Sequence, residues 1–89
     1  MFAGTITLPA NTATLVDNSV SHIGYMASGT VKNDTAAIIY LGASSSMTAG
    51  TTTGFPLGVG ESFHYELQAE ALWACASTLT ALRIIRRGT

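Results

Sequence analysis

Charge is the scarcest feature of this 89-residue chain. Only 10% of its residues are Asp, Glu, Lys or Arg, whereas ordinary soluble domains carry about 25%. The formal net charge is −1, so the field of the chain gives no drive toward nucleic acid or anionic lipid. Three arginines near the C-terminal end form a run too short for a nucleic-acid site. Charge keeps proteins apart in solution. A surface with so little charge therefore indicates a protein that functions within an assembly.

Cysteine and long apolar runs are also lacking. Cys75 is the only cysteine, which excludes an internal disulfide and a cysteine-ligated zinc site. Its alanine neighbours favour a small buried residue over a nucleophile. No apolar run approaches the roughly 20 residues of a membrane span, and the first residues lack the features of a signal peptide. We therefore expect a soluble protein that is made in a cytoplasm and has no membrane partner.

Residues suited to catalysis are few and scattered. His22 and His64 are the only histidines, and neither has further ligands at a metal-binding spacing. His64 and Glu66 could form an acid–base pair, with a surface or intersubunit hydrogen bond as the alternative. Asp17 and Asp34 are typical of turns, and the acidic residues make no pair spaced for glycoside hydrolysis. We predict no enzyme, no catalytic residue, no metal site and no cofactor.

Short β-type segments make up most of the chain. Thr, Ser, Gly and Ala replace charge, and threonine is favoured on pleated surfaces. Alternating or β-branched segments bounded by turn residues lie at 3–8, 12–16, 23–32, 36–41, 55–57, 62–67, 71–77 and 80–86. The pattern predicts one all-β domain over 1–89. We expect a small antiparallel β-sandwich or barrel, jelly-roll-like, of seven to eight short strands, with 1–8 as a candidate extended arm.

The clearest alternation lies in 62–67, where Phe63, Tyr65 and Leu67 share one face and are assigned to the core. Aromatic residues of this chain could instead supply a stacking platform for sugars or bases, but a small domain needs large side chains to fill its core.

The segment over 66–76 contains good helix formers, but its apolar residues make no single stripe, so a strand is preferred to a helix. Segments 71–77 and 80–86 are then predicted to form a terminal hairpin.

Segment 36–41 is apolar on both faces, which predicts a strand buried on both sides or covered by a neighbouring subunit. Residues 43–54 form an uncharged loop.

A series of short motifs runs in order through the last two-thirds of the chain. They are Thr-Val-Lys-Asn-Asp at 30–34, Ile-Ile-Tyr-Leu-Gly at 38–42, Gly-Phe-Pro-Leu-Gly-Val-Gly-Glu-Ser-Phe at 54–63, Leu-Trp-Ala-Cys-Ala-Ser at 72–77 and Ala-Leu-Arg-Ile-Ile at 81–85. Their order resembles a short β module of tailed-bacteriophage virion proteins. Each piece alone consists of turn residues and alternating apolar residues, and residues 1–29 have no match in that module.

The resemblance implies a structural virion protein of the capsid decoration or cement type, located on the capsid surface. Such a protein would bind the major capsid protein and stabilise the phage head as a homo-oligomer, with a trimer favoured. The alternative is the base of a head fibre or tail spike, or a carbohydrate-binding host-attachment module, which needs Trp73 or Tyr25 exposed beside polar groups. The residues expected at contacts with partners are Phe2, Ile6, Leu8, Ile39, Tyr40, Leu41, Met47, Phe55, Arg86 and Arg87.

Overall fold

The computed structural model describes residues 2–50 and 52–86, apart from the side chains of Phe2 and Ile23. The predicted all-β fold is confirmed, and the segment rich in helix formers, 66–76, contains the end of one strand, a turn and the whole of the next strand. Within the described residues the strands are β1 (Phe2–Leu8), β2 (Thr14–Asn18), β3 (Met26–Lys32), β4 (Ile39–Gly42), β5 (Phe55–Leu57), β6 (Ser62–Gln68), β7 (Ala71–Cys75) and β8 (Thr80–Arg86). Two single 3₁₀ turns, Ser19–Ser21 and Ile23–Tyr25, connect β2 to β3.

Two antiparallel four-stranded sheets pack face to face. The first sheet has the strand order β1-β8-β3-β6 and the second has the order β2-β7-β4-β5. Each sheet therefore combines strands from both ends of the chain, as in a jelly roll built from two Greek keys.

The predicted terminal hairpin is wrong. Strand β7 pairs with β2 and β4, while β8 pairs with β1 and β3. Both strands have one apolar face, and crossing between the sheets lets Ala74 of β7 and Leu82 of β8 share the core, where both are fully buried. Side-by-side pairing would have left the two sheets unconnected at this point.

The alternation in β6 places Tyr65 and Leu67 in the core, as predicted, with exposed fractions of 3% and 9%. Phe63 was also assigned to the core, but it is 38% exposed. The reason is its position at the start of an edge strand, where the sandwich is open and the Phe63 ring lies against Phe55 of β5 at a centroid distance of 6.5 Å.

Strand β1 is an edge strand rather than a free arm. It pairs with β8 along its whole length, from Phe2 opposite Arg86 to Leu8 opposite Thr80. Leu8 is fully buried, so the end of β1 belongs to the core of the domain.

The loop over 43–54 covers part of the outer face of the second sheet. Met47 is only 5% exposed, and a Cβ added to Gly42 of β4 would lie 2.9 Å from its Sδ atom. A Cβ at Gly54 would lie 3.1 Å from Met47 Cε and 2.9 Å from Tyr40 Cβ. Of the two expected arrangements, burial on both sides or cover by a neighbouring subunit, the structure shows the first at this place, because the loop of the same chain covers the strand.

Gly29 of β3 allows the Tyr65 ring to lie across the inner face of the first sheet. The two residues are paired between β3 and β6. A Cβ at Gly29 would lie 2.7 Å from the Tyr65 hydroxyl oxygen and 2.6 Å from the Ile85 carbonyl oxygen. Only a residue without a side chain leaves room for the phenol to reach the second sheet.

We expect Gly29→Ala to destabilise the domain by about 1–3 kcal/mol, because the new methyl group must displace backbone or the Tyr65 ring. Gly50→Ala is the matched control, since a Cβ at Gly50 meets nothing within 4 Å, and it should change stability by less than about 1 kcal/mol. Urea unfolding followed by circular dichroism measures both. Equal stability of the two variants would contradict the close approach of Tyr65.

Candidate functional site

Asp17 is the most deeply buried charged residue described by the structure, with an exposed fraction of 3%. The sequence predicts a turn there, which is wrong, because Asp17 lies within β2. The register between β2 and β7 shifts between Leu15 and Asp17, and such a bulge redirects side chains. Both Val16 and Asp17 are consequently buried.

Donors from both sheets surround the Asp17 carboxylate. The Tyr65 hydroxyl of β6 donates to Oδ2 at 2.7 Å, and the Asn18 backbone N–H donates to Oδ1 at 2.9 Å. His22 Nε2, from the turn that follows β2, lies 2.9 Å from Oδ1. Arg86 of β8 donates to the Val16 carbonyl oxygen at 2.8 Å, with Nη1 4.0 Å from Asp17 Oδ1. This cluster ties the two sheets together at one end of the sandwich.

The protonation states follow from this geometry. Burial would raise the pKa of Asp17, but the hydrogen bonds from Tyr65, His22 and Asn18, together with the Arg86 charge, outweigh burial and lower that pKa. Burial raises the pKa of Tyr65 well above its usual value, and the bond to Asp17 raises it further. The carboxylate is thus held ionised and the phenol neutral, an arrangement suited to a structural tie.

An open groove of about 380 Å³ lies beside this cluster, lined among others by Ile6, Leu15, Ser21 and His22. The His22 side chain is 16% exposed. Among the described residues no group of three or more His, Cys, Asp or Glu side chains is placed to hold a metal ion.

The other residues considered for chemistry lie apart from Asp17. His64 Nε2 is 3.5 Å from Glu66 Oε2, and the two side chains are 60% and 80% exposed, which is the geometry of a surface ion pair. Cys75 is fully buried, and burial raises the pKa of its thiol. A buried neutral thiol is a poor nucleophile.

Asn33 forms a second buried polar centre. It is fully buried, and its Nδ2 donates to the carbonyl oxygens of Ala37 at 2.7 Å and Leu57 at 2.8 Å. Its backbone oxygen accepts from the Gly60 N–H at 2.7 Å. Asn33 therefore fixes the β5–β6 turn relative to the start of β4.

Four large apolar side chains in and near the strands β4, β5 and β6 are exposed. Phe55 is 65% exposed, Val59 62%, Ile38 48% and Phe63 38%. Phe55 and Phe63 contact each other between the edge strands β5 and β6, Val59 belongs to the turn that joins these strands, and Ile38 immediately precedes β4, which pairs with β5. We call the Phe55–Phe63 pair the apolar corner.

The side chains predicted at partner contacts fall into several groups. Four of them, Leu8, Ile39, Leu41 and Met47, are buried in the domain itself. Leu8, Ile39 and Leu41 are on inward strand faces, whereas Met47 belongs to the 43–54 loop and packs against β4 beside Gly42. Arg86 is engaged with Val16 and Asp17. Phe55 is exposed, Ile6 and Tyr40 are half-buried, and the Phe2 side chain and Arg87 lie outside the described part.

The two aromatics named for glycan binding differ in placement. Trp73 is half-buried in β7, whereas Tyr25 is 59% exposed. Tyr25 also has a backbone φ of 56°, a left-handed conformation that costs a bulky residue roughly 1–2 kcal/mol.

A scan against protein-family models, a search of curated proteins and a search of solved structures each found no match for this chain. Among the residues that the structure describes, no helix is long and apolar enough to cross a membrane.

We expect acid to weaken the Asp17 tie. A carboxyl whose pKa is lowered by folding contributes stability that is complete above its unfolded pKa, near 3.8, and lost as the pH falls through the folded pKa. Asp17→Asn should cost about 3 kcal/mol at neutral pH, because it removes the charge that the Tyr65 hydroxyl, His22 and the Asn18 N–H surround. It should also remove much of the loss of stability below pH 3.8.

The matched control is Asp34→Asn, because Asp34 pairs with Arg83 at 3.0 Å at the surface and should contribute less than about 1 kcal/mol. Urea unfolding at a series of pH values from neutral to acidic measures both effects. An unchanged acid dependence in Asp17→Asn would contradict the assigned role of the carboxylate.

Proposed function

We propose that this chain is a structural virion protein, a capsid decoration or cement protein of a tailed bacteriophage. It binds the major capsid protein on the capsid surface as a homo-oligomer, with a trimer as the order that the resemblance favours, and it acts by binding rather than by catalysis. The observation that carries the proposal is the apolar corner, an exposed aromatic pair on a domain with little surface charge.

The apolar corner has the composition of a protein contact. Aromatic side chains are enriched at the centres of interfaces, where they exclude water around a few strong contacts. Phe55 and Phe63 are held by edge strands, and the Asn33 hydrogen bonds fix the adjoining turn. A preformed apolar surface loses little conformational entropy on binding.

A protein of this kind stabilises a shell through mass action. A ligand that binds the assembled shell and has no affinity for separated subunits lowers the free energy of the assembled state. This mechanism requires an exposed contact surface and no reacting groups, in keeping with a buried Cys75 and an inward-facing Asp17.

The role is tested with the phage that encodes this chain. Deletion of the gene should still yield heads, but these should break at lower temperature or lower ionic strength, as seen by sucrose-gradient sedimentation after heating. Phe55→Ser should reproduce the loss by weakening attachment to the shell. Leu79→Ser is the matched control, because Leu79 is 70% exposed in the β7–β8 turn, away from the apolar corner.

Copy number gives an independent measurement. Quantitative mass spectrometry of purified virions should find this chain in hundreds of copies, as expected of a shell component. A few copies per virion, or heads equally stable without the protein, would overturn the cement role.

A second function, host attachment through carbohydrate, is favoured by Tyr25 alone. Its ring is exposed and its backbone conformation is unfavourable, so this side chain contributes little to folding. On this proposal Tyr25→Ala abolishes binding on a glycan array while the thermal unfolding temperature stays about the same. Absence of glycan binding by the wild-type chain would overturn it.

A further inference from the structure

The four sheet edges differ in how they are protected against pairing with another chain. Strand β5 has three residues and contains Pro56, which cannot donate a backbone hydrogen bond. Strand β2 carries a bulge, and β6 carries the charged Glu66. Bulges, prolines and charges are the usual protections of edge strands.

Strand β1 has none of these protections. Its sequence, FAGTITL, contains no charge and no proline, and it pairs with β8 over all seven positions without a register shift. Among the described residues no strand pairs with its other side. A long, regular and uncharged edge presents free backbone donors and acceptors to an extended chain.

We propose that β1 pairs antiparallel with β1 of a second copy, forming a two-fold dimer with one continuous eight-stranded sheet. Residues directly opposite in an antiparallel pair point to the same face. For the core-facing sides of the two copies to match, each even-numbered residue must therefore pair with an even-numbered one, and the sum of paired residue numbers must be even. Centring the pair on Thr5 overlaps the full length of both strands, with Thr5 opposite Thr5, Gly4 opposite Ile6 and Ala3 opposite Thr7.

The strand is complementary to itself in this register. No like charges are brought together, since β1 has none. The Ile6 side chain faces a glycine of the other copy, which leaves space for it, and two threonines meet on the axis, a favourable cross-strand pair.

Two apolar side chains lie on the flank of the sandwich next to β1. Ile6 is half-buried and Leu15 of β2 is 42% exposed, and both line the groove of about 380 Å³ on this side. Because the two-fold axis keeps the second sheets of both copies on the same side, these residues approach their counterparts. The pairing therefore buries apolar surface in addition to making backbone hydrogen bonds.

The apolar corner lies between β5 and β6. Each of these strands is the edge of its sheet that lies farthest from the β1 and β2 edges. A dimer through β1 thus leaves that surface free. The proposed dimer replaces the trimer that the resemblance favours as the oligomer of the free chain. Attachment to the shell through the apolar corner does not depend on the dimer, so either can fail without the other.

Sedimentation velocity over a wide concentration series tests the contact with the purified chain. We expect a monomer–dimer equilibrium for the wild type. Thr5→Lys, an exposed outward position, should raise the dimer dissociation constant at least about tenfold, because it opposes two positive charges on the axis. Gln68→Lys, an exposed position on edge strand β6, is the matched control and should leave the equilibrium unchanged.

A charge-swap experiment separates loss of pairing from loss of folding. Thr5→Glu alone should also be monomeric, whereas an equimolar mixture of Thr5→Lys and Thr5→Glu should form mixed dimers, because opposite charges then face each other. A wild-type chain that is monomeric throughout the series, an oligomer that resists Thr5→Lys, or a mixture that stays monomeric would each overturn the proposal. A trimer dissociated by Phe55→Ser but unaffected by Thr5→Lys would place self-association at the apolar corner.

Discussion

A buried carboxylate that needs donors on all sides governs one end of this sandwich. Asp17 lies on the second sheet, and two of the groups around it, Tyr65 and Arg86, come from the first. Removing a charge from water is costly unless hydrogen bonds and opposite charge replace the solvent. The requirement explains Gly29, whose missing side chain lets the Tyr65 ring through. We infer that the Asp17 cluster fixes how the two sheets are placed relative to each other.

The chain has few charged and buried polar groups, and their use inside the domain also affects its surface. Asn33 satisfies the connection before β4 and the β5–β6 turn at once, and in the described residues every buried side-chain nitrogen or oxygen has a partner. With five acidic and four basic residues in the chain, buried use of Asp17 and Arg86 leaves still less charge outside. A surface with little charge, an apolar corner and an unprotected edge strand favours association over a monomeric state in solution.

Much of the strand pattern could be predicted because it is local. Alternation in β6 and β8 and the proline of β5 are properties of neighbouring residues, and they placed these strands correctly. Phe63 was misassigned because alternation reports which face a residue is on and carries no information about how near the residue is to an edge. Asp17 was misassigned because Asp-Asn-Ser is typical of a turn, whereas its principal partner Tyr65 is 48 positions away.

The sequence by itself determined the fold class and the neutral character of the surface, because periodicity and composition are carried by each segment alone. Only the tertiary structure decided that β7 and β8 lie in different sheets, that the 43–54 loop covers part of the second sheet, and that β1 is left as the unprotected edge. These features depend on which strands become neighbours. That choice is made by burial and hydrogen bonding between residues far apart in the chain, as the pairing of Asp17 with Tyr65 across Gly29 illustrates.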